Sequence, residues 1–273
     1  MNRLFVAYKP TGCSSNFFLG SLKRKYGVKK AGFSGTLDPF AKGVLLVGFG
    51  SYTKLFRFLD KTPKKYKATL WLGAKSDSLD SEMVESVEIL KERSKQEVED
   101  ALASLEGELE YEPPIFSAKK IDGQRAYDLA RAGKKVVLNK IHSTIYSMKL
   151  LNYSHPFVTF EATVSEGTYI RSLGLMIAQK LGVKYGSLSM LERLSEGQFV
   201  YENEKALDIK KSLKIKQNFY DGERDNLKYG RVLAIEDMRI KDDGVYFIDN
   251  QDSLSIIKIQ DNTISYELGK ILC

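Results

Sequence analysis

Residues 64–73, KKYKATLWLG, place Tyr66, Ala68, Leu70 and Leu72 on one side of an alternating pattern. A period of two predicts a half-buried strand. VLLVGFG (44–50) is continuously apolar, which predicts a buried strand. RLFVAY (3–8) reads as a shorter strand, ended by the turn Lys9-Pro10-Thr11-Gly12. Between them, Ser14 or Ser15 can cap a helix through FFLGSLKRKYG. YTKLFRFL (52–59) spaces Leu55, Phe56 and Leu59 as one helical face. Ser94-Lys95-Gln96-Glu97 is a capping box that starts a helix reaching about Leu105. A helix through AYDLARAG stops at Gly133, and another through TYIRSLGLMIAQKLG lies between Gly167 and Gly182. Two or three strands are predicted from Val136 to Val164, with Ser154-His155-Pro156 as a turn. The polar stretch AKSDSLDSEMVE and the Pro113-Pro114 region read as loops.

Helices and strands interleave with hairpin-like connections, so the expected class is α+β. It has a mixed, mostly antiparallel sheet flanked by helices rather than a strict βαβ repeat. The texture changes after about residue 205. RVLAI, GVYFID, LSIIKIQD and TISYEL are short β-like pieces. The expected organisation is a main domain over 1–204 and a small C-terminal β module over 205–273.

Composition adds a partner class. Of the 273 residues 43% are hydrophobic, enough for a real core, and the net charge is +7. Such a balance fits a polyanionic partner, nucleic acid before membrane, or simply a soluble basic protein. Lys23, Arg24 and Lys25 suit either the negative end of their helix dipole or a phosphate backbone. The two cysteines, Cys13 and Cys273, lie near opposite ends and form no metal-ligand spacing, which argues against a disulfide scaffold and for a reducing cytoplasm. No apolar run is long enough to span a membrane. His142 and His155 fall in strand and turn contexts and read as structural.

One stretch carries candidate chemistry: AGFSGTLDPFAKG, residues 31–43. Gly32 and Gly35 permit backbone conformations that a β-carbon would penalise. Pro39 biases Asp38 towards an extended conformation. The backbone thus fixes where one carboxylate points. An isolated Asp-Pro is more often a turn or a cap than a site.

The surroundings alter that balance. GTLDPFAKGVLLV closely resembles the catalytic motif of the TruB family of tRNA pseudouridine synthases. Lys9-Pro10-Thr11-Gly12, KKYKATLWLG, PPIFSAKK, GTYIRSLG and LERL (191–194) resemble further family motifs in the same order, from about residue 4 to 200. The resemblance implies a pseudouridine-synthase fold and a stand-alone bacterial enzyme that isomerises a T-arm uridine of tRNA, position 55. It implies that Asp38 is the catalytic aspartate and that Tyr66 stacks on the target base. Tyr169 and Arg171 match the Tyr-Ile-Arg motif, the arginine pairing with the catalytic carboxylate, and Leu191 matches a substrate-contacting leucine. Lys9 would support the active-site turn or touch phosphate. Phe33 stands where bacterial members commonly have histidine, so it can stack or wedge but cannot titrate. Glu192 is acidic where the family often has a cation. The C-terminal module resembles a shortened PUA-type RNA-binding domain.

An isomerisation that breaks a C–N bond and forms a C–C bond needs no redox step and no group donor, so neither cofactor nor metal is expected. The partner is tRNA, with no membrane and no obligate protein partner, and the chain is expected to act as a monomer. A buried Asp38 alone would resist ionisation, while a nearby Arg171 would favour it. Lys119, Lys120 and the KRK helix end are candidate phosphate contacts. Asp77 and Asp80 sit in the polar stretch and are expected to bond backbone or water. Two rival readings share these residues: the same chemistry on another RNA, and a non-catalytic tRNA-binding or folding factor.

Overall fold

A computed structural model describes residues 1–117, 120–121, 124–125 and 138–272. The helix expected through AYDLARAG, Lys119 and the tail Cys273 lie outside the described residues, and nothing is described of the Lys120 side chain.

Strands β1 (Arg3–Lys9), β2 (Ala31–Ser34) and β3 (Lys42–Phe49) form the N-terminal part of the main sheet. Next come β4 (Lys64–Leu72) and a small hairpin, β5 (Ala74–Ser76) with β6 (Val84–Val87). β7 (Gly107–Tyr111) precedes two short strands, β8 (Lys120–Ile121) and β9 (Gln124–Arg125). β10 (Ile141–Ser154), β11 (Phe157–Val164) and β12 (Gly186–Glu196) complete the main sheet. Its order is β1-β3-β12-β4-β11-β10-β7, with β2 also on β3. Every pairing is antiparallel except β3 with β12, which run parallel and share only Lys42–Glu192 and Gly43–Arg193.

Local sequence explains most of these elements. Along β4 burial alternates as the pattern predicts, with Tyr66, Ala68, Leu70 and Leu72 inward. Helix α1 (Ser15–Lys25) is capped by Ser14, whose hydroxyl accepts from the Phe17 N–H at 3.1 Å. Helix α2 (Lys95–Ala103) has the predicted capping box. Helix α3 (Ile170–Lys180) ends ahead of Gly182 at φ +70°, a conformation that favours glycine. Val98 and Leu102 of α2 and Ile170, Leu173 and Ile177 of α3 pack on the inward residues of β4, β11 and β12. This packing fixes the start of α3 against the middle of the sheet.

Several expectations need correction. Residues 50–58 form two 3-10 turns, Gly50–Lys54 and Phe56–Phe58, instead of one helical face. Bonds from Leu55 N–H to Tyr52 O and from Phe58 N–H to Leu55 O turn Tyr52, Leu55 and Phe58 inward at a spacing of three. The polar stretch after β4 is no open loop: it forms the β5–β6 hairpin and buries Ser76, Ser78 and Asp80. RVLAI is not a strand; it runs from a short helix (Arg224–Tyr229) into a 3-10 turn (Ile235–Asp237). Strand β12 lies between β3 and β4, and the hydrophobic pattern did not announce it, because Arg193 and Glu196 point inward.

The C-terminal strands β13 (Lys216–Asn218), β14 (Gly244–Asp249), β15 (Ser253–Gln260) and β16 (Thr263–Leu272) form a second sheet in that order. Its Phe247, Leu254, Ile256 and Ile271 share an apolar cluster with Leu4, Val6, Val44 and Leu46 of the first sheet.

Candidate active site

Asp38 sits in the connection between β2 and β3. The Ala41 N–H donates to the Asp38 carbonyl at 3.1 Å, closing a turn with Pro39 in its second position. Gly35 has φ +62°, as a turn glycine should. Gly32 does not; its missing side chain serves packing instead, because a β-carbon there would lie 3.3 Å from Thr53 Cγ2. The Ser15 hydroxyl donates to the Leu37 carbonyl and accepts from the Leu37 N–H, both at 2.9 Å. The Gly12 N–H holds the Pro39 carbonyl at 2.9 Å.

Lys9 completes this support from below. Its ammonium donates to the carbonyls of Pro10 at 2.8 Å, Cys13 at 2.7 Å and Pro39 at 3.4 Å. Lys9 is 0% exposed, so it cannot touch a phosphate, and its place among substrate-binding residues is corrected to that of a turn support. Burial pushes its pKa down, with Asp38 among the groups acting the other way.

Arg171 lies in the first turn of α3 and is buried, which excludes a plain surface cation. Its Nε is 3.0 Å from Asp38 Oδ2. Nη1 donates to the Ser78 carbonyl and Nη2 to the Phe116 carbonyl, each at 2.7 Å. Nη1 also lies 3.5 Å from Asp80 Oδ2. Asp80 was expected to bond backbone or water in a polar loop; it does bond backbone, but it is 3% exposed and part of the ion cluster. Its carboxylate accepts from the Ser78 hydroxyl at 2.6 Å and the Glu82 N–H at 3.0 Å. The polar alternation of Ser76, Ser78 and Asp80 was the available signal, a strand-like period hidden in a hydrophilic stretch.

The Asp38 side chain keeps 35% of its surface open. Burial pushes its carboxyl above the ordinary aspartate range; Arg171 pulls it back, Asp80 opposes that, and Lys9 assists it. Arg171 therefore favours ionisation as expected, but the protein around Asp38 weighs more.

Asp38 and Arg171 lie on the wall of a cleft of about 370 Å³. Tyr66 from β4, Leu191 from β12 and Tyr169 with Ile170 at the start of α3 line it too, beside Gly35, Lys64 and Glu166. The sheet order explains the meeting: β4 and β12 are neighbours, and their register sets Ala68 against Leu191 and Tyr66 against Arg193. Tyr169 is oriented through its backbone N–H, which donates to the Tyr111 hydroxyl at 2.9 Å. Phe33 does not line this cleft. It lines a second recess of about 350 Å³, with Asn16, Met83 and Phe116, that shares Thr36, Leu37, Asp38 and Arg171 with the first.

Glu192 has a local explanation. It pairs with Lys42 at 3.6 Å across the parallel seam and accepts from the Tyr8 hydroxyl at 2.6 Å. Burial, then the bond and charge of Glu192, push the Tyr8 pKa up to about 12. His142 is exposed, and His155 pairs with the Leu90 carbonyl at 3.0 Å. Among the described residues no group of His, Cys, Asp and Glu could hold a metal ion, and no helix is long and apolar enough to cross a membrane.

Residues 23–170 match the family model described as TruB family pseudouridylate synthase (N terminal domain). A protein of Sulfurimonas denitrificans named tRNA pseudouridine synthase B is 70% identical over 273 residues, all of both chains. One of the same name from Sulfurovum sp. is 54% identical, covering 99% of this chain and 98% of its own. Among solved structures, one described as a Cbf5-Nop10-Gar1 complex superposes with a TM-score of 0.68 at 19% identity. It covers 99% of this chain and 84% of that one, a likeness of fold.

Proposed function

The chain belongs to the TruB family of pseudouridylate synthases, and from that premise we propose that it isomerises a uridine in the T-arm of tRNA, position 55, using Asp38. It is an enzyme that makes pseudouridine; the substrate, the position and the residues are this reading's own. The tRNA substrate is supported by the names of relatives that align over the whole chain. The single observation that carries the site is the Asp38–Arg171 pair at 3.0 Å on the wall of a cleft lined by Tyr66 and Leu191.

The chemistry follows from that arrangement. The C1′–N1 bond of the uridine breaks, the base turns, and C1′ bonds to C5. The hydrogen at C5 leaves as a proton and N1 gains one, so the atoms of the product equal those of the substrate. Ionised Asp38 acts as nucleophile or base. Arg171 holds its carboxylate in place and favours its charged form. The target must leave its stack, at a cost of a few kcal/mol that the pocket offsets. Tyr66 offers a ring for stacking, and Leu191, Tyr169 and Ile170 supply apolar walls. Phe33, in the adjoining recess, packs against RNA next to the flipped nucleotide.

Residues 205–273 form the RNA-binding module of this reading. In its support, exposed Tyr229 has Lys228 and Arg231 5.3 and 5.5 Å from its ring, and Arg239 lies 5.2 Å from the ring of Phe219. Aromatic rings beside cations suit bases and phosphates together.

The test is direct. Purified protein is incubated with an unmodified tRNA transcript, without cofactor, and pseudouridine is mapped, with Asp38→Ala alongside and its binding measured. Modification of the T-arm uridine by the parent alone is expected. A folded parent that binds this tRNA without modifying it refutes the reading and turns attention to a binding factor.

A further inference from the structure

The Asp38 turn is anchored from below by Ser15 and Lys9, yet its two ends are held from another side by a residue of β12. Arg193 Nη2 donates to the Gly35 carbonyl at 3.0 Å, just before the turn, and Nε donates to the Val44 carbonyl at 2.8 Å, just after it. One planar guanidinium thus bridges both flanks of the loop that carries the carboxylate. Arg193 lines the cleft, yet it is 1% exposed and its Nε and Nη2 are engaged by the two carbonyls, so it acts through the loop.

Its surroundings are built around this bridge. Glu196, also on β12 and fully buried, lies 3.5 Å from Arg193 Nη2. The same carboxylate accepts from the Ser34 hydroxyl at 2.8 Å and lies 3.5 Å from Lys64 Nζ. Ser34 is the last residue of β2, immediately before Gly35. The cluster packs tightly on Gly35, where a β-carbon would stand 3.0 Å from Lys64 Nζ and 3.1 Å from Arg193 Nη1.

The position of this cluster gives it its meaning. Among the described residues, the strand pairing that joins the half of the sheet holding Asp38 (β1, β2, β3) to the half holding Tyr66 and Leu191 (β4, β12) is the parallel seam of β3 and β12. That seam has two residue pairs, and Arg193 is a member of one, opposite Gly43. Gly43 has φ +114°, and a β-carbon there would lie 2.3 Å from the Arg193 carbonyl oxygen, so the strands approach as closely as only glycine allows. Two backbone pairs are a thin hinge for aligning a carboxylate with a base pocket. Burying charges is costly, and apolar residues of similar volume often serve stability as well. Stability alone therefore does not account for an arginine here, whereas a fork that binds two carbonyls at fixed angles does.

We propose that Arg193, with Glu196 as its counter-ion, is a positioning residue that sets the angle at which Asp38 meets the flipped nucleotide. The inference rests on the reading of Asp38 as the reacting carboxylate. Lysine at this position keeps the charge, but one ammonium cannot reproduce the fork. A misplacement of about 1 Å costs on the order of 100-fold in rate.

Single-turnover kinetics with enzyme in excess over tRNA test this, because a merely destabilised enzyme loses active fraction while its rate constant stays parental. Parent, Asp38→Asn, Arg193→Lys and Ser34→Ala are compared, with melting curves and RNA affinity for each. The expected result is a rate constant about 100-fold lower for Arg193→Lys and a smaller reduction for Ser34→Ala, at unchanged RNA affinity. A folded Arg193→Lys with the parental rate constant, beside an inactive Asp38→Asn, overturns the inference and leaves the Asp38 reading intact. If Arg193→Lys does not fold, Ser34→Ala decides, and a parental rate constant there overturns it. An active Asp38→Asn refutes the Asp38 reading and this inference with it.

Discussion

Replacing Arg171 by methionine removes the group on which the cluster converges. Methionine fills much of the space but donates nothing. Two bonds to the carbonyls of Ser78 and Phe116 at 2.7 Å and the 3.0 Å pairing with Asp38 are lost together. Hydrogen bonds to charged groups contribute about 1.5–3 kcal/mol each. Breaking a buried ion pair from one side costs about 3–5 kcal/mol. Asp38 is partly open, which favours the lower part of that range, so a loss of about 3–4 kcal/mol is expected. For a chain of this size each kcal/mol lowers the melting temperature by about 2–4 °C, giving a fall of roughly 10 °C.

The pH dependence has a definite sign. Burial already raises the Asp38 pKa, and Arg171 opposes it. Without the arginine the pKa rises further, because an adjacent cation favours the charged carboxylate and its loss leaves burial and Asp80 less opposed. Activity that needs ionised Asp38 is then lost at a higher pH than in the parent. A raised folded-state pKa also means that the folded protein holds its proton longer than the unfolded chain. The Asp38 contribution to stability is full below the ordinary aspartate pKa and is lost as pH rises through the folded value. The instability of Arg171→Met should therefore be greatest at neutral pH and shrink toward pH ~4. Melting curves across pH and a pH–rate profile measure both. A variant that melts within about 2 °C of the parent, with its acidic limb unmoved, would refute the reasoning.

Lys9→Met should slow isomerisation while leaving the salt dependence of tRNA affinity unchanged, because Lys9 meets carbonyls and not phosphate; a slope reduced by about 0.7–0.9 would restore a phosphate contact. Tyr66→Phe should keep most activity, whereas Tyr66→Ala should lose about 1–3 kcal/mol of stacking, read as roughly 5- to 150-fold in kcat/KM. Ser94→Ala removes the capping box of α2, which contributes no residue to the cleft lining, and should cost about 1 kcal/mol in a denaturant melt without changing the rate; a slowed rate would tie α2 to catalysis.

Much of the site was readable in the chain because its cues are local. An Asp-Pro turn beside a turn glycine, alternation along β4 and a helix start at Ile170 are short-range patterns. By themselves they fit turns and core packing; it was the resemblance of the motifs around them to the TruB family that pointed to Asp38, Tyr66, Tyr169, Arg171 and Leu191, all of which line one cleft. Phe33 was set beside them and lines the adjoining recess. Lys9 was read in two ways, and only its burial chose between them.

What stayed hidden is non-local. Asp80 looks like any acid in a hydrophilic stretch until the β5–β6 hairpin folds it against Arg171 from another part of the chain. Strand β12 looks irregular until Arg193 and Glu196 are seen to spend their charges inside, on the flanks of the Asp38 turn and on each other. Sequence by itself determined most of the helices and apolar strands, the turn that carries the carboxylate and the family, because backbone preferences and motif spacing act within a few residues. Only the tertiary structure decided which charges are buried and what they hold, because an ion's cost and its use depend on partners that sequence places far away.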